Sequence, residues 1–143
     1  MVLRIIETVQ DGPVRLPIDM EARFVPGQAA QMNYEQITCG VSDGTRPLGL
    51  IDDLKNKYID STEPGGLVNV WIQRMVFRTD QYEVLEGSDI TSLYKTGALL
   101  YVNSEGFLSN KGLTKESLAV GRVISVLEIN HAHERNIIEC IWF

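Results

Sequence analysis

Apolar residues in this chain fall into short runs that alternate with polar ones, and glycine, proline or small polar clusters break each run. Alternation at period two is the mark of strands buried on one face. The pattern is clearest from Tyr94 to Val126. There Thr96-Gly97 predicts a turn, Ala98 to Val102 (ALLYV) a strand, Asn103 to Gly106 a second turn, Phe107-Leu108 a brief strand, and Val120 to Val126 (VGRVISV) a longer one. Nothing in the stretch forms a catalytic constellation. It reads as part of a small β-barrel that holds shape and presents surfaces.

The rest of the chain is written in the same way. Val2 to Val9 predicts a strand, Asp11-Gly12-Pro13 a turn, and Val14 to Ile18 a segment with apolar residues at period two around Pro17. Proline has no N–H to give a ladder, so this segment is an edge strand or an extended arm. It pairs with the chain's own sheet, or it adds a strand to a neighbouring chain. Met20 to Val25, Gln28 to Asn33, Gln36 to Val41 and Arg46 to Ile51 predict further strands, with Pro26-Gly27 and Ser42 to Thr45 as turns. Asp52 to Lys57 has room for one helical turn. Leu67 to Thr79 (LVNVWIQRMVFRT) predicts the longest strand, central and covered on each side because both of its faces are apolar. Gly87-Ser88-Asp89 supplies an N-cap for a short helix from Ile90 to Tyr94. Ile129 to Asn136 is a hairpin turn leading into a last strand that ends on Trp142-Phe143. Each of those rings buries about 150–250 Å² when enclosed, so this end is expected in the core or in a subunit contact. The expectation is an all-β fold, a small β-barrel or β-tulip-like domain over residues 20–143. An extended N-terminal arm covers residues 1–19, and at most one or two short helices interrupt the strands.

Two stretches echo each other. PGQAAQMN at Pro26 to Asn33, SDG at Ser42 to Gly44 and PLGL at Pro47 to Leu50 match TGALLYVN at Thr96 to Asn103, SEG at Ser104 to Gly106 and AVGR at Ala119 to Arg122. In each, a turn glycine precedes a strand ending in Asn, a Ser-acid-Gly turn follows, and a glycine sits in the next strand. Gly49 and Gly121 are expected at bulges or barrel corners.

Composition narrows the function more than the fold. The chain has 143 residues, 44% hydrophobic and 22% charged, with a net charge of −6 and its 13 cations scattered. That balance argues against a phosphate-binding stripe. No apolar run approaches the roughly 18 residues of a membrane span, and MVLRIIETVQDG does not have the pattern of a signal peptide. Cys39 and Cys140 sit in no metal spacing and are expected as reduced thiols, with Cys140 as a small core residue between Ile138 and Trp142. His131-Ala132-His133 can chelate a metal in principle, but as an isolated pair in a polar turn it reads as a solvated loop. Asp52, Asp53, Asp60 and Glu63 miss the spacing of a Ca²⁺ loop. Dinucleotide, phosphate-loop and nucleophile-elbow motifs are absent. Trp71 and Tyr82 beside Arg74 and Arg78 suggest a base-stacking platform only weakly. No enzyme, cofactor or metal is expected.

The residues from Gly97 to Gly106, GALLYVNSEG, with FLS following and AVGRVISV beyond, form a pattern that resembles a signature of small β-rich virion proteins of tailed bacteriophages, the capsid decoration or cement proteins. FVPGQ at Phe24 to Gln28, SDGTRPLGL at Ser42 to Leu50 and FRTDQY at Phe77 to Tyr82 suit the same group. Ser109 stands where that pattern has Thr, and residues 1–19 lie outside the match. The resemblance implies a virion protein on the outer face of the head, made in the host cytoplasm. It implies a homotrimer that holds major capsid subunits together, without direct contact to nucleic acid or membrane. The unmatched arm is the expected capsid-binding element, through Val2, Arg4, Ile6, Val14, Arg15, Leu16 and Ile18. A tail, neck or baseplate component and a sugar- or metal-binding barrel are the alternatives.

Overall fold

The structure, a computed structural model, describes residues 3–10, 12–17, 25–33, 36–39, 46–52, 67–84, 89–112, 114–115, 117–127 and 135–143. Its strands are β1 (Leu3–Thr8), β2 (Val14–Pro17), β3 (Ala29–Asn33), β4 (Gln36–Cys39), β5 (Gly49–Asp52), β6 (Leu67–Trp71), β7 (Met75–Thr79), β8 (Leu99–Val102), β9 (Leu108–Ser109), β10 (Gly121–Leu127) and β11 (Ile137–Trp142). One short helix, α1 (Ile90–Leu93), is capped by the Asp89 carboxylate, which accepts from the Thr91 amide. The domain is all-β. Six strands form one sheet in the order β1-β7-β11-β10-β8-β9, and five form the other in the order β2-β6-β5-β3-β4. The expected strand from Met20 to Val25, the Ser42–Thr45 turn and the helical turn after Asp52 lie outside the described residues, save for Val25 itself.

The long strand expected over Leu67 to Thr79 is two strands in two sheets. β6 pairs with β2 and β7 pairs with β1, both antiparallel, so a two-stranded ribbon runs out of one sheet and into the other. Gln10 fastens the corner. Its side-chain oxygen accepts from the amides of Ile72 and Gln73, at 3.0 and 3.3 Å, and its side-chain nitrogen donates to the Gly12 carbonyl. Apolar residues on both faces of LVNVWIQRMVFRT follow from this crossing, because the two halves of the run serve different cores.

The internal echo is real down to single hydrogen bonds. Gly27 N–H donates to Ile51 C=O, and Gly97 N–H donates to Val123 C=O. Leu48 to Ala30 is matched by Val120 to Leu100, and Ile51 to Gln28 by Val123 to Ala98. The strand registers agree as well: Ala30 faces Gly49 and Leu50 faces Trp71, as Leu100 faces Gly121 and Arg122 faces Ile141. Gly27 and Gly97 have φ of 95° and 85°, a left-handed turn that glycine adopts without strain. Gly49 and Gly121 serve close approach: a Cβ on either would lie 2.0 Å from a backbone oxygen, that of Trp71 or of Ile141.

The main core fills the space between the sheets. Met75, Phe77, Leu100, Val123, Ile138, Cys140 and Trp142 come from the six-stranded sheet, with Ala29 and Leu50 from the five-stranded one. A second cluster of Ala30, Ile51, Val68 and Val70 lies on the opposite face of the five-stranded sheet, against Leu16, Leu48 and Ile72. Trp142 is locked into the core as expected, whereas Phe143 stays 38% exposed.

Candidate docking surface

The N-terminal segment is built into the body. β1 ends the six-stranded sheet and β2 ends the five-stranded one, each with one side unpaired among the described residues. Of the two readings of this segment, the structure has, over Val14–Pro17, the edge strand. The reason is the ribbon: β1 and β2 find ready partners in β7 and β6. The seven expected capsid-binding residues accordingly divide. Arg4 and Ile6 are exposed on β1, with Ile6 at a register shift between Ile5 and Glu7. Val14 and Arg15 are exposed on β2, while Leu16 packs on the second cluster. Val2 and Ile18 lie outside the described residues.

Arg4 belongs to a larger surface. Residues that alternate with the core along β1, β7, β11, β10 and β8 cover the outer face of the six-stranded sheet. Arg4 stands opposite Arg78, Glu7 opposite Val76, Arg78 opposite Glu139, Val76 opposite Ile141, Ile141 opposite Arg122, and Arg122 opposite Leu99. Tyr101 follows Leu99 on the same face of β8. Val76, Ile137, Ile141, Leu99 and Tyr101 are each only half-buried. Arg78 is paired with Glu139 at 2.7 Å, and Arg122 donates to the Gly97 carbonyl at 2.8 Å. At one end of the face a groove of about 280 Å³ opens between Val9, Arg74, Met75, Val76 and Ile141, and Val9 is 71% exposed. Half-buried apolar residues and arginines are enriched at protein interfaces, while glutamates such as Glu7 and Glu139 are depleted there. Sequence reading missed Leu99, Tyr101, Arg122 and Ile141. Their signal was the apolar residue on the outward beat of ALLYV and NIIECIWF.

A second concavity, about 690 Å³, is lined by residues that include Glu83, Asn103, Glu105, Phe107, Lys111 and Arg135. Its wall is an interlocked aromatic unit. Tyr82 meets Tyr94 edge-on with ring centroids 5.1 Å apart, and Arg135 lies 4.3 Å over the Tyr82 ring while donating to the Tyr82 carbonyl. Both hydroxyls donate to backbone carbonyls, Tyr82 to Asn136 and Tyr94 to Glu83. Burial pushes both phenols above their ordinary range, with Arg135 opposing this at Tyr82. The cleft holds two carboxylates and two cations, so it has no net sign that selects an ion.

Other candidates do not assemble. Trp71 donates its indole N–H to Asp52 and packs toward the core, and Tyr82 is buried, so the stacking platform is not formed. Cys140 is a buried free thiol, its pKa raised by burial and then by Glu139. Among the described residues no three His, Cys, Asp or Glu side chains gather as a metal site. His131 and His133 lie outside them, as do Asp53, Asp60 and Glu63. No described helix is long and apolar enough to cross a membrane. No family model, no curated protein and no solved structure matches this chain.

Proposed function

We propose that this chain is a non-catalytic structural protein of a virus particle. It docks on the outer surface of a tailed-phage head and holds major capsid subunits together, itself assembled as a homotrimer. It needs no cofactor and touches neither nucleic acid nor membrane. The observation that carries the reading is the edge strand β1, hydrogen-bonded on one side only among the described residues, with Ile6 43% exposed on it; β2, the edge of the other sheet, has β4 close by and presents Val14 at 36%. An unpaired edge offers main-chain donors and acceptors to an extended segment of another protein, and repetition over a shell turns a modest contact into avidity. The turn-and-strand motifs from Gly97 onward support the same reading.

Co-sedimentation with expanded, empty heads tests it. The wild-type chain binds in large copy number, and Ile6→Lys with Val14→Lys, which put charge on both edges, lowers binding by about tenfold or more, as loss of central contacts does. Deleting residues 1–19 is a poor test, since it strips β7 and β6 of their partners. Failure of the wild-type chain to bind heads would overturn the proposal.

A further inference from the structure

The cleft beside Tyr82 is lined by a turn that is held on two sides. Within the turn, the Asn103 side-chain oxygen accepts from the amides of Glu105 and Phe107, at 3.0 and 2.9 Å. The first repeat grips the turn's backbone: the Gln28 side chain donates to the Glu105 carbonyl at 2.8 Å, and the Ala29 amide donates to the Gly106 carbonyl at 2.7 Å. The other lining segment, Tyr82 to Val84, is tied to β9 by a parallel bridge between Tyr82 and Leu108, and the Glu83 amide donates to the Leu108 carbonyl at 2.7 Å. Arg135 is set by the Tyr82 ring and carbonyl. Fixed walls spare a ligand the cost of ordering them.

The backbone here is engaged, but the side chains are not. Glu83, Glu105 and Lys111 make no hydrogen bond or ion pair among the described residues. Glu105, Lys111 and Arg135 are exposed, and Phe107 is half-buried. The oxygen of Asn103 serves the turn, which leaves its amide nitrogen to donate.

This set sorts ligands by chemistry. An anion would meet two carboxylates along with the two cations, and a cation would meet the reverse, so charge selects neither. An extended peptide draws its affinity from a free strand edge, and the edge of β9 is already met by Tyr82 and Glu83. A sugar suits all of the groups at once. Each sugar hydroxyl donates and accepts, so it can serve carboxylates, which only accept, and Lys, Arg and amide N–H groups, which only donate. The C–H face of a sugar ring can pack on Phe107. The volume of about 690 Å³ falls among those of small-molecule sites, about 300–1,000 Å³.

We propose that this cleft binds a neutral carbohydrate. Glu83 and Glu105 accept from its hydroxyls, while Lys111, Arg135 and Asn103 donate to them. This is a function beyond head docking. β9 and β1 are the two ends of the six-stranded sheet, so the two contacts use different residues.

Saturation-transfer NMR of the full chain with a panel of neutral oligosaccharides is the test, with a uronic-acid oligosaccharide and a short peptide of mixed charge as further arms. Neutral sugar binds saturably, and equally at about 0.1 M and about 1 M salt, because a ligand without charge has nothing to screen. Glu105→Ala with Lys111→Met lowers its affinity by about tenfold or more, as loss of hydrogen bonds to charged groups does. Both side chains are exposed and make no bond in the fold, so this double variant keeps the wild-type melting temperature. Lys115→Met, at an exposed site outside the cleft, leaves affinity unchanged. No binding of any neutral sugar, or binding of the acidic sugar or the peptide alone, overturns the carbohydrate. Neutral sugar held as tightly by the double variant as by the wild type overturns the site.

Discussion

Leu50 and Arg122 occupy the same place in the two repeats, each one residue past a glycine that lies flush against the neighbouring strand. Leu50 is fully buried in the core, and Arg122 is exposed. The backbone around them is the same: the same left-handed glycine turn, the same cross-strand hydrogen bonds, the same register. Burial follows from which face the other sheet covers. The second repeat turns Leu100, Val123 and Cys140 inward, and the first turns Ala29, Leu50 and Trp71 toward that same core. A shared skeleton therefore does not give a shared surface, and the open face of the second repeat is the place where an interaction can be added at no cost to the fold.

The widest separation between the repeats should come from exchanging these two residues. Leu50→Arg leaves a buried charge without a partner, at about 3–5 kcal/mol or more, a large part of the roughly 5–15 kcal/mol that holds a domain together. Arg122→Leu should move stability by no more than about 0.5 kcal/mol. Urea unfolding of the two variants measures both, and equal effects would break the comparison.

Gly49→Ala and Gly121→Ala probe what the repeats share. Either Cβ meets a backbone oxygen at 2.0 Å, so both variants should lose about 1–3 kcal/mol, the cost of overpacking, or more. Melting temperatures that fell for one and not the other would show that the shared register matters in only one repeat. Gly27→Ala and Gly97→Ala probe where they part. Both pay about 1–2 kcal/mol for left-handed backbone. Only Gly27 pays again, because its Cβ would lie 2.9 Å from the Thr79 hydroxyl, whereas at Gly97 nothing lies within 4 Å. Gly97→Ala should be the milder of the two by thermal melting.

The smallest effect is a dependence on pH. Tyr94, which leads into the second repeat, and Tyr82 beside it are neutral in the fold and held above the ordinary tyrosine value of 10.0 by burial. A group whose neutral acid form is favoured by folding binds its proton more tightly in the native state. Its contribution is intact below about pH 10 and is lost as the unfolded chain ionises above that. Absorbance of tyrosinate on alkaline titration should show a late step, from Tyr82 and Tyr94, that coincides with unfolding. Ionisation of Tyr82 and Tyr94 near pH 10 with the fold intact would contradict it.

Much of the fold was legible in the alternation of the chain. Ala98 to Val102, Val120 to Val126 and the final NIIECIWF appear as β8, β10 and β11 within a residue or two, because turn glycines and period-two burial are local properties. Pro17 excluded a central strand for the same reason, leaving an edge strand or an extended arm: a missing N–H is a fact about one residue. The run Leu67 to Thr79 was misread because continuity in sequence carries no mark of a change of sheet. The corner there is made by Gln10, some sixty residues away. The candidate surface was less legible. Arg4 and Ile6 were found on a strand, but Leu99, Tyr101, Arg122 and Ile141 join them only through pairings between distant strands.

By itself, then, the sequence determined most of the described strands, the turns at Gly27, Gly97 and Gly106, and the repeat, since each depends on residues close together along the chain. Only the tertiary structure decided which face of each repeat is buried, that β1 and β2 become edges of two different sheets, and that three arginines and a set of half-buried apolar residues share one surface. Packing between sheets is a choice among faces that are alike in pattern, and the chain makes it through contacts that no local stretch contains.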